Sequence, residues 1–124
     1  MATSKRTIPG NFANTQYEDT DVTDGSSSVS TADSTSGTLF GVFLDNTAGS
    51  SDAFLRVFDS NSAQNGTTAP DHIFYAPGNS SRMYSIPDGL AYGTGLQYAG
   101  AGVGGTAGTT ALQSTLVLRL LIET

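Results

Sequence analysis

The sequence predicts an all-β fold: an antiparallel β-sandwich of jelly-roll or immunoglobulin-like type behind an extended N-terminal arm. Three observations predict it. After residue 37 the large apolar residues arrive in short runs separated by Gly, Pro, Asn and Asp, at roughly the eight-to-twelve-residue spacing of all-β domains. Two of these runs alternate with a period of two, and no stretch carries the apolar period of an amphipathic helix. The count is about six strands after residue 37, and a short strand around Ser28 to Asp33 would make seven or eight.

Residues 1 to 37 are expected to form the arm, and residues 38 to 124 the sandwich. The first segment has only Ile8, Phe12, Tyr17, Val22 and Val29 as large apolar side chains, scattered without period among Ser, Thr, Asp, Asn and Gly. It cannot build a core alone. Ordering some 37 residues costs about 1–2 kcal/mol each. Packing five large side chains returns only about 8–15 kcal/mol at 1.5–3 each. The arm is therefore expected to lie across neighbouring subunits, with Ile8, Phe12, Tyr17, Val22 and Val29 as its anchors.

Thr38 to Leu44, nearly all apolar and stopped by Asp45-Asn46, reads as a buried strand. Ala53 to Phe58 places Phe54, Arg56 and Phe58 on one face and Ala53, Leu55 and Val57 on the other, before a turn-rich stretch from Asp59 to Pro70. His72 to Ala76 and Arg82 to Ile86 read as two strands, and the turn Pro77-Gly-Asn-Ser80 suggests a hairpin. Leu90, Tyr92, Thr94, Leu96 and Tyr98 fall at every second position with small residues between, as in one strand lying under a close neighbour. A glycine-rich loop from Gly100 to Gly108 leads to the clearest strand, where Leu112, Ser114, Leu116, Leu118, Leu120 and Ile122 alternate with Gln113, Thr115, Val117, Arg119, Leu121 and Glu123.

Composition narrows the function. Eleven acidic residues against five basic ones give a net charge of −6, and Lys5-Arg6 is the one place where two basic residues adjoin. Nucleic-acid binding through a cationic face is excluded on that basis. With no cysteine there is neither a disulfide framework nor a thiolate metal site. No apolar stretch succeeds the initial Met-Ala-Thr-Ser-Lys-Arg, and the longest apolar run, Leu116 to Ile122, is broken by Arg119, so neither a signal peptide nor a membrane anchor is expected. Charged residues make up 13% of the chain, about half the usual share. Either partners cover much of the surface, or Ser, Thr and Asn replace charge as solvating groups.

Chemistry-bearing patterns are weak. His72 is the one histidine, and no Gly-x-Ser-x-Gly elbow accompanies the serines, so it reads as a strand-end residue rather than a catalytic base. Gly100-Ala-Gly102-Val-Gly104-Gly105 satisfies Gly-x-Gly-x-x-Gly, but the adjoining Thr106-Ala-Gly-Thr-Thr110 cannot open a helix, and a packed loop is expected. Glu18, Asp19, Asp21 and Asp24 crowd carboxylates that calcium favours, but the spacing is not that of an EF-hand, and a solvated acidic stretch is expected. The sequons at Asn65 and Asn79 carry no weight without a secretory route. No catalytic, cofactor or metal residue is assigned.

Several phrases of the sandwich segment stand out: Val42-Phe-Leu-Asp45-Asn46-Thr47, Leu55-Arg-Val-Phe58-Asp59-Ser60, Thr67-Thr-Ala-Pro70-Asp71, Ile86-Pro-Asp-Gly89-Leu90 and Thr94-Gly95-Leu96. Over about residues 38 to 112 they resemble small β-sandwich virion proteins of tailed bacteriophages, of the capsid decoration or cement type. The resemblance implies a non-enzymatic structural subunit on the outer surface of a phage capsid, stabilising the head through inter-subunit contacts. Its implied partners are the major capsid protein and copies of itself, as a homotrimer, with no cofactor, nucleic acid or membrane. A tail, neck or fibre subunit is the second implied role. A host-glycan-binding module on the virion, using Tyr84, Tyr92 or Tyr98, is the third.

Overall fold

The computed structural model describes residues 3–7, 13–22, 29–105, 107 and 110–124. Among them the chain forms nine strands and no helix: β1 (Thr3–Thr7), β2 (Thr15–Asp19), β3 (Ser30–Asp33), β4 (Gly37–Asp45), β5 (Ala53–Asp59), β6 (His72–Ala76), β7 (Ser81–Tyr92), β8 (Leu96–Ala101) and β9 (Val117–Glu123). They build two antiparallel sheets, ordered β1-β2-β9-β4-β7 and β3-β8-β5-β6. With β1 set aside as an added edge, the chain crosses between the sheets at every connection from β2 to β9 except β5 to β6. Two four-stranded sheets wound in this order are a jelly roll, so the jelly-roll alternative holds and the immunoglobulin-like one does not.

Alternation explains the core. In β9, Leu118, Leu120 and Ile122 point between the sheets, while Val117, Arg119, Leu121 and Glu123 point away. Leu39, Val42 and Leu44 of β4 join them, facing Ala53, Leu55 and Val57 of β5 and Leu96 and Tyr98 of β8. The outer face of β5 is buried as well, because the long β5–β6 loop folds back over it and Phe58 packs with Ala63 and Ala99. Arg56, on that same face, is fully buried.

The structure departs from the sequence reading in five places. First, no boundary falls at residue 38: β2 lies between β1 and β9, and β3 pairs with β8, so both belong to the sandwich. Tyr17 and Val22 are core residues of this chain, and Val29 packs on the Phe58 cluster. For Tyr17, Val22 and Val29 the contacts that offset ordering entropy thus come from their own domain; Ile8 and Phe12 lie outside the described residues. Second, β6 and β7 do not form a hairpin but sit in different sheets. The Asn46 carboxamide turns the chain there by donating to the carbonyls of Ala76 and Pro77. Third, the run from Leu90 to Tyr98 is two strands around a corner at Gly93 to Gly95. Fourth, Pro87 to Gly89 does not end a strand: Leu39 pairs with Leu90 and Gly41 with Ser85, so Ile86 to Gly89 bulge out opposite Phe40. Fifth, β9 begins at Val117, and the residues from 110 to 116 form a non-strand approach whose Leu112 and Leu116 still pack on the core.

Candidate functional site

The β6 and β7 edges lie on the same flank of the sandwich, and between them opens a cavity of about 80 Å³. Leu39, Val57, Leu90, Tyr92 and Leu96 form apolar walls drawn from both sheets, and Asp59, Asp71, His72 and Ala91 stand exposed around the mouth. Four of the phrases that carry the resemblance converge here: Phe58-Asp59-Ser60, Pro70-Asp71, Gly89-Leu90 and Thr94-Gly95-Leu96. What they build first is a rigid corner. The Asp59 carboxylate accepts from the amides of Gly93 (2.9 Å), Thr94 (2.9 Å) and Gly95 (3.3 Å). These donors, Gly93 foremost, hold its pKa below the usual carboxylate value, because they favour the ionised form. The Asp59 amide in turn donates to Asp71 at 2.6 Å, and the Asp71 amide donates to the Val57 carbonyl at 2.9 Å.

The opposite end is fixed by the Asp45-Asn46-Thr47 phrase. Asp45 accepts from the amide and hydroxyl of Thr47, and the hydroxyl bond, with the amide next, lowers its pKa. Buried Asn46 donates to Ser51, Ala76 and Pro77 carbonyls. Gln113 accepts from the amides of Ser50 and Ser51, tying the approach to β9 onto the same turn.

His72 stands at the cavity mouth with its ring 6.5 Å from that of Phe74. Among the described residues no three His, Asp or Glu side chains converge as a metal site. Glu18 and Asp19 point to opposite faces of β2: Glu18 accepts from the Arg119 Nε at 2.6 Å on the outside, while Asp19 is buried and accepts from the Tyr98 hydroxyl at 2.6 Å. They cannot share one cation. Asp24 lies outside the described residues.

The tyrosines nominated for a sugar face are largely consumed inside. Tyr98 is buried between Asp19 and the Tyr17 hydroxyl (2.9 Å), and Tyr92 donates to Asp33 at 2.9 Å. Burial raises the pKa of Tyr17, Tyr92 and Tyr98 alike, since the phenolate would lose its hydration. Tyr84 is half-buried and donates to the Tyr75 carbonyl while accepting from the Tyr75 amide. That hydroxyl caps the free edge of β6 where an added strand would otherwise pair.

The glycine-rich loop after β8 packs over the outer face of the second sheet, with Gly104 against Phe54. Arg56 holds it: the guanidinium donates to Asn65 Oδ1 (2.7 Å) and to the carbonyls of Val103 (3.3 Å) and Ala107 (3.1 Å). Burial pulls its pKa down. Sequence reasoning missed the cavity, the Asp59 corner and this role of Arg56; a charged residue amid a strand that is otherwise apolar was the one available signal. Compared with known proteins, the chain matches no family model, no curated sequence and no solved structure.

Proposed function

We propose that this chain is a non-enzymatic structural subunit of a phage particle, a capsid decoration or cement protein that strengthens the head through inter-subunit contacts. The observation that carries the reading is the jelly-roll order of the two sheets, an architecture that recurs in viral capsid and lectin domains. Fold alone never fixes function, so the reading also leans on the phrase resemblance. Those phrases build the two rigid ends of the sandwich, as a load-carrying subunit needs. Low charge fits a surface partly covered by neighbours. Many copies on a symmetric lattice make weak individual contacts effective.

Electron microscopy of intact particles, with copy number from quantitative mass spectrometry, tests the proposal. On the order of hundreds of copies on the outer shell are expected of a lattice-wide subunit. A dozen or fewer at one vertex would move the protein to the tail, neck or fibre, and absence from particles would overturn the virion setting altogether.

A further inference from the structure

We propose that the cavity between the β6 and β7 edges binds the N-terminal residue of a polypeptide partner, taking a branched aliphatic side chain inside and the free α-ammonium at its mouth. Such a site is independent of any place in a particle. Volume limits the apolar part. The cavity measures about 80 Å³, well below the roughly 300–1,000 Å³ of drug-sized sites. A cavity of about 150 Å³ accepts a benzene ring, so a branch of about three or four carbons is the matching size here. Leu39 and Leu90 wall it from the first sheet and Val57 and Leu96 from the second, so an aliphatic group inside leaves water on every side except the mouth.

The mouth calls for a cation. Asp59 and Asp71 stand exposed there. An ionised carboxylate accepts about four hydrogen bonds. Asp59 takes three, from the amides of Gly93, Thr94 and Gly95, and Asp71 takes one, from the Asp59 amide. Acceptor capacity therefore remains, mostly on Asp71, for the N–H donors of an ammonium group. No described cation of the chain neutralises this rim. Arg82 is exposed on β7, but it pairs with Leu44, whereas Ala91 pairs with Thr38 at the other end of β4. That sets Arg82 about 17–20 Å from the mouth at ~3.4 Å per residue. Arg56 is buried on the outer face of the second sheet, Arg119 pairs with Glu18 on the outer face of the first, and Lys5 and Arg6 belong to β1 at the far edge.

The rim also selects the source of the ammonium. A free amino acid carries a carboxylate beside its amine, which the two rim carboxylates repel. In the first residue of a polypeptide that group is a neutral amide, and the α-ammonium, with a pKa of about 7.7–8.0, is largely charged at neutral pH. The residues after it have an exit along the seam between β6 and β7, where Phe74, Tyr84 and Ile86 are only half-buried. A chain beginning with Val, Leu or Ile meets both demands.

Titration of the isotopically labelled full chain with L-leucine amide, followed by methyl NMR, tests the site. Saturable shifts are expected in Leu39, Val57, Leu90 and Leu96, and weaker binding in raised salt. N-acetyl-leucine amide keeps the side chain and loses the charge, so it should bind at least about tenfold more weakly. Free leucine should also bind more weakly than the amide, whereas a short peptide beginning with leucine should match it. Ala91→Trp obstructs the mouth from an exposed position, and Asp71→Asn removes a charge while keeping an acceptor for the Asp59 amide. Both should lose most of the binding with an unchanged circular dichroism spectrum, and the methyl map of the wild type keeps the test decisive if either misfolds. Absence of saturable shifts, shifts confined to other methyls, or equal binding of the acetylated amide would each overturn the site. Free leucine binding as tightly as the amide and the peptide would overturn the polypeptide source.

Discussion

Asn46 shows how one side chain shapes a turn between sheets. Its amide group serves three carbonyls, on Ser51, Ala76 and Pro77, at the point where the chain leaves β6 for the other sheet. Asn46→Ala leaves those acceptors without their donor in a buried place, and a loss of about 1–3 kcal/mol is expected in urea unfolding. Asp59 gives a pH signature. Its folded pKa lies below the ordinary 3.8, so its stabilisation is complete above that value and disappears as pH falls through the lower folded one. Asp59→Asn should flatten the acid limb of a stability profile below about pH 4; an unchanged limb would show that the corner does not depend on the charge. Neither role was legible in the sequence, where both residues look like ordinary turn formers. Asp59 acts on amides 34 to 36 positions away, and no local pattern records such a pairing.

Among the elements, β5 was readable from its short apolar run although both of its faces are buried, whereas β9 was readable because one face is buried and the period of two survives intact from Val117 on. The run from Leu90 to Tyr98 misled for the same reason: the alternation continues through a corner, with Tyr92 and Leu96 both turned inward on either side of it. The bulge in β7 was hidden behind Pro87, which reads as a stop yet is tolerated on an edge strand. Gly89 makes that bulge feasible, with φ of +75° and a Cβ position 2.4 Å from Thr38 Cγ2. Gly89→Ala should cost at least about 1 kcal/mol from the backbone conformation alone, measured as a lower unfolding midpoint. The glycine-rich loop is an element held from below. Replacing the buried guanidinium by Arg56→Met should speed amide exchange in residues 103 to 105 relative to β4 and β9; uniform acceleration across the sandwich would show instead that Arg56 supports the whole fold.

At the scale of the molecule, the N-terminal third is structural rather than appended. Composition suggested a detachable arm because its strands carry mostly Ser, Thr and Asp. Those residues nonetheless place Tyr17 opposite Leu120, while Asp19 meets Tyr98 across the core. Removing residues 1 to 37 deletes β2 and β3 and exposes one edge of β9 and one of β8. The truncated chain should be unfolded or aggregated by circular dichroism and light scattering; a cooperative, monomeric melt would contradict that expectation.

The position of β9 also bears on how the chain acquires its structure. This strand lies between β2 and β4, so the first half of the sheet can pair fully only after the ninth strand has been made. Contacts such as Tyr17 with Leu120 span most of the sequence, and loops that long close slowly. During synthesis the earlier strands must wait with their apolar faces unpaired, which exposes them to intermolecular association. The sparse, interrupted hydrophobicity of the first 37 residues is well suited to that wait, because a Ser- and Thr-rich segment stays soluble until its partner strand arrives.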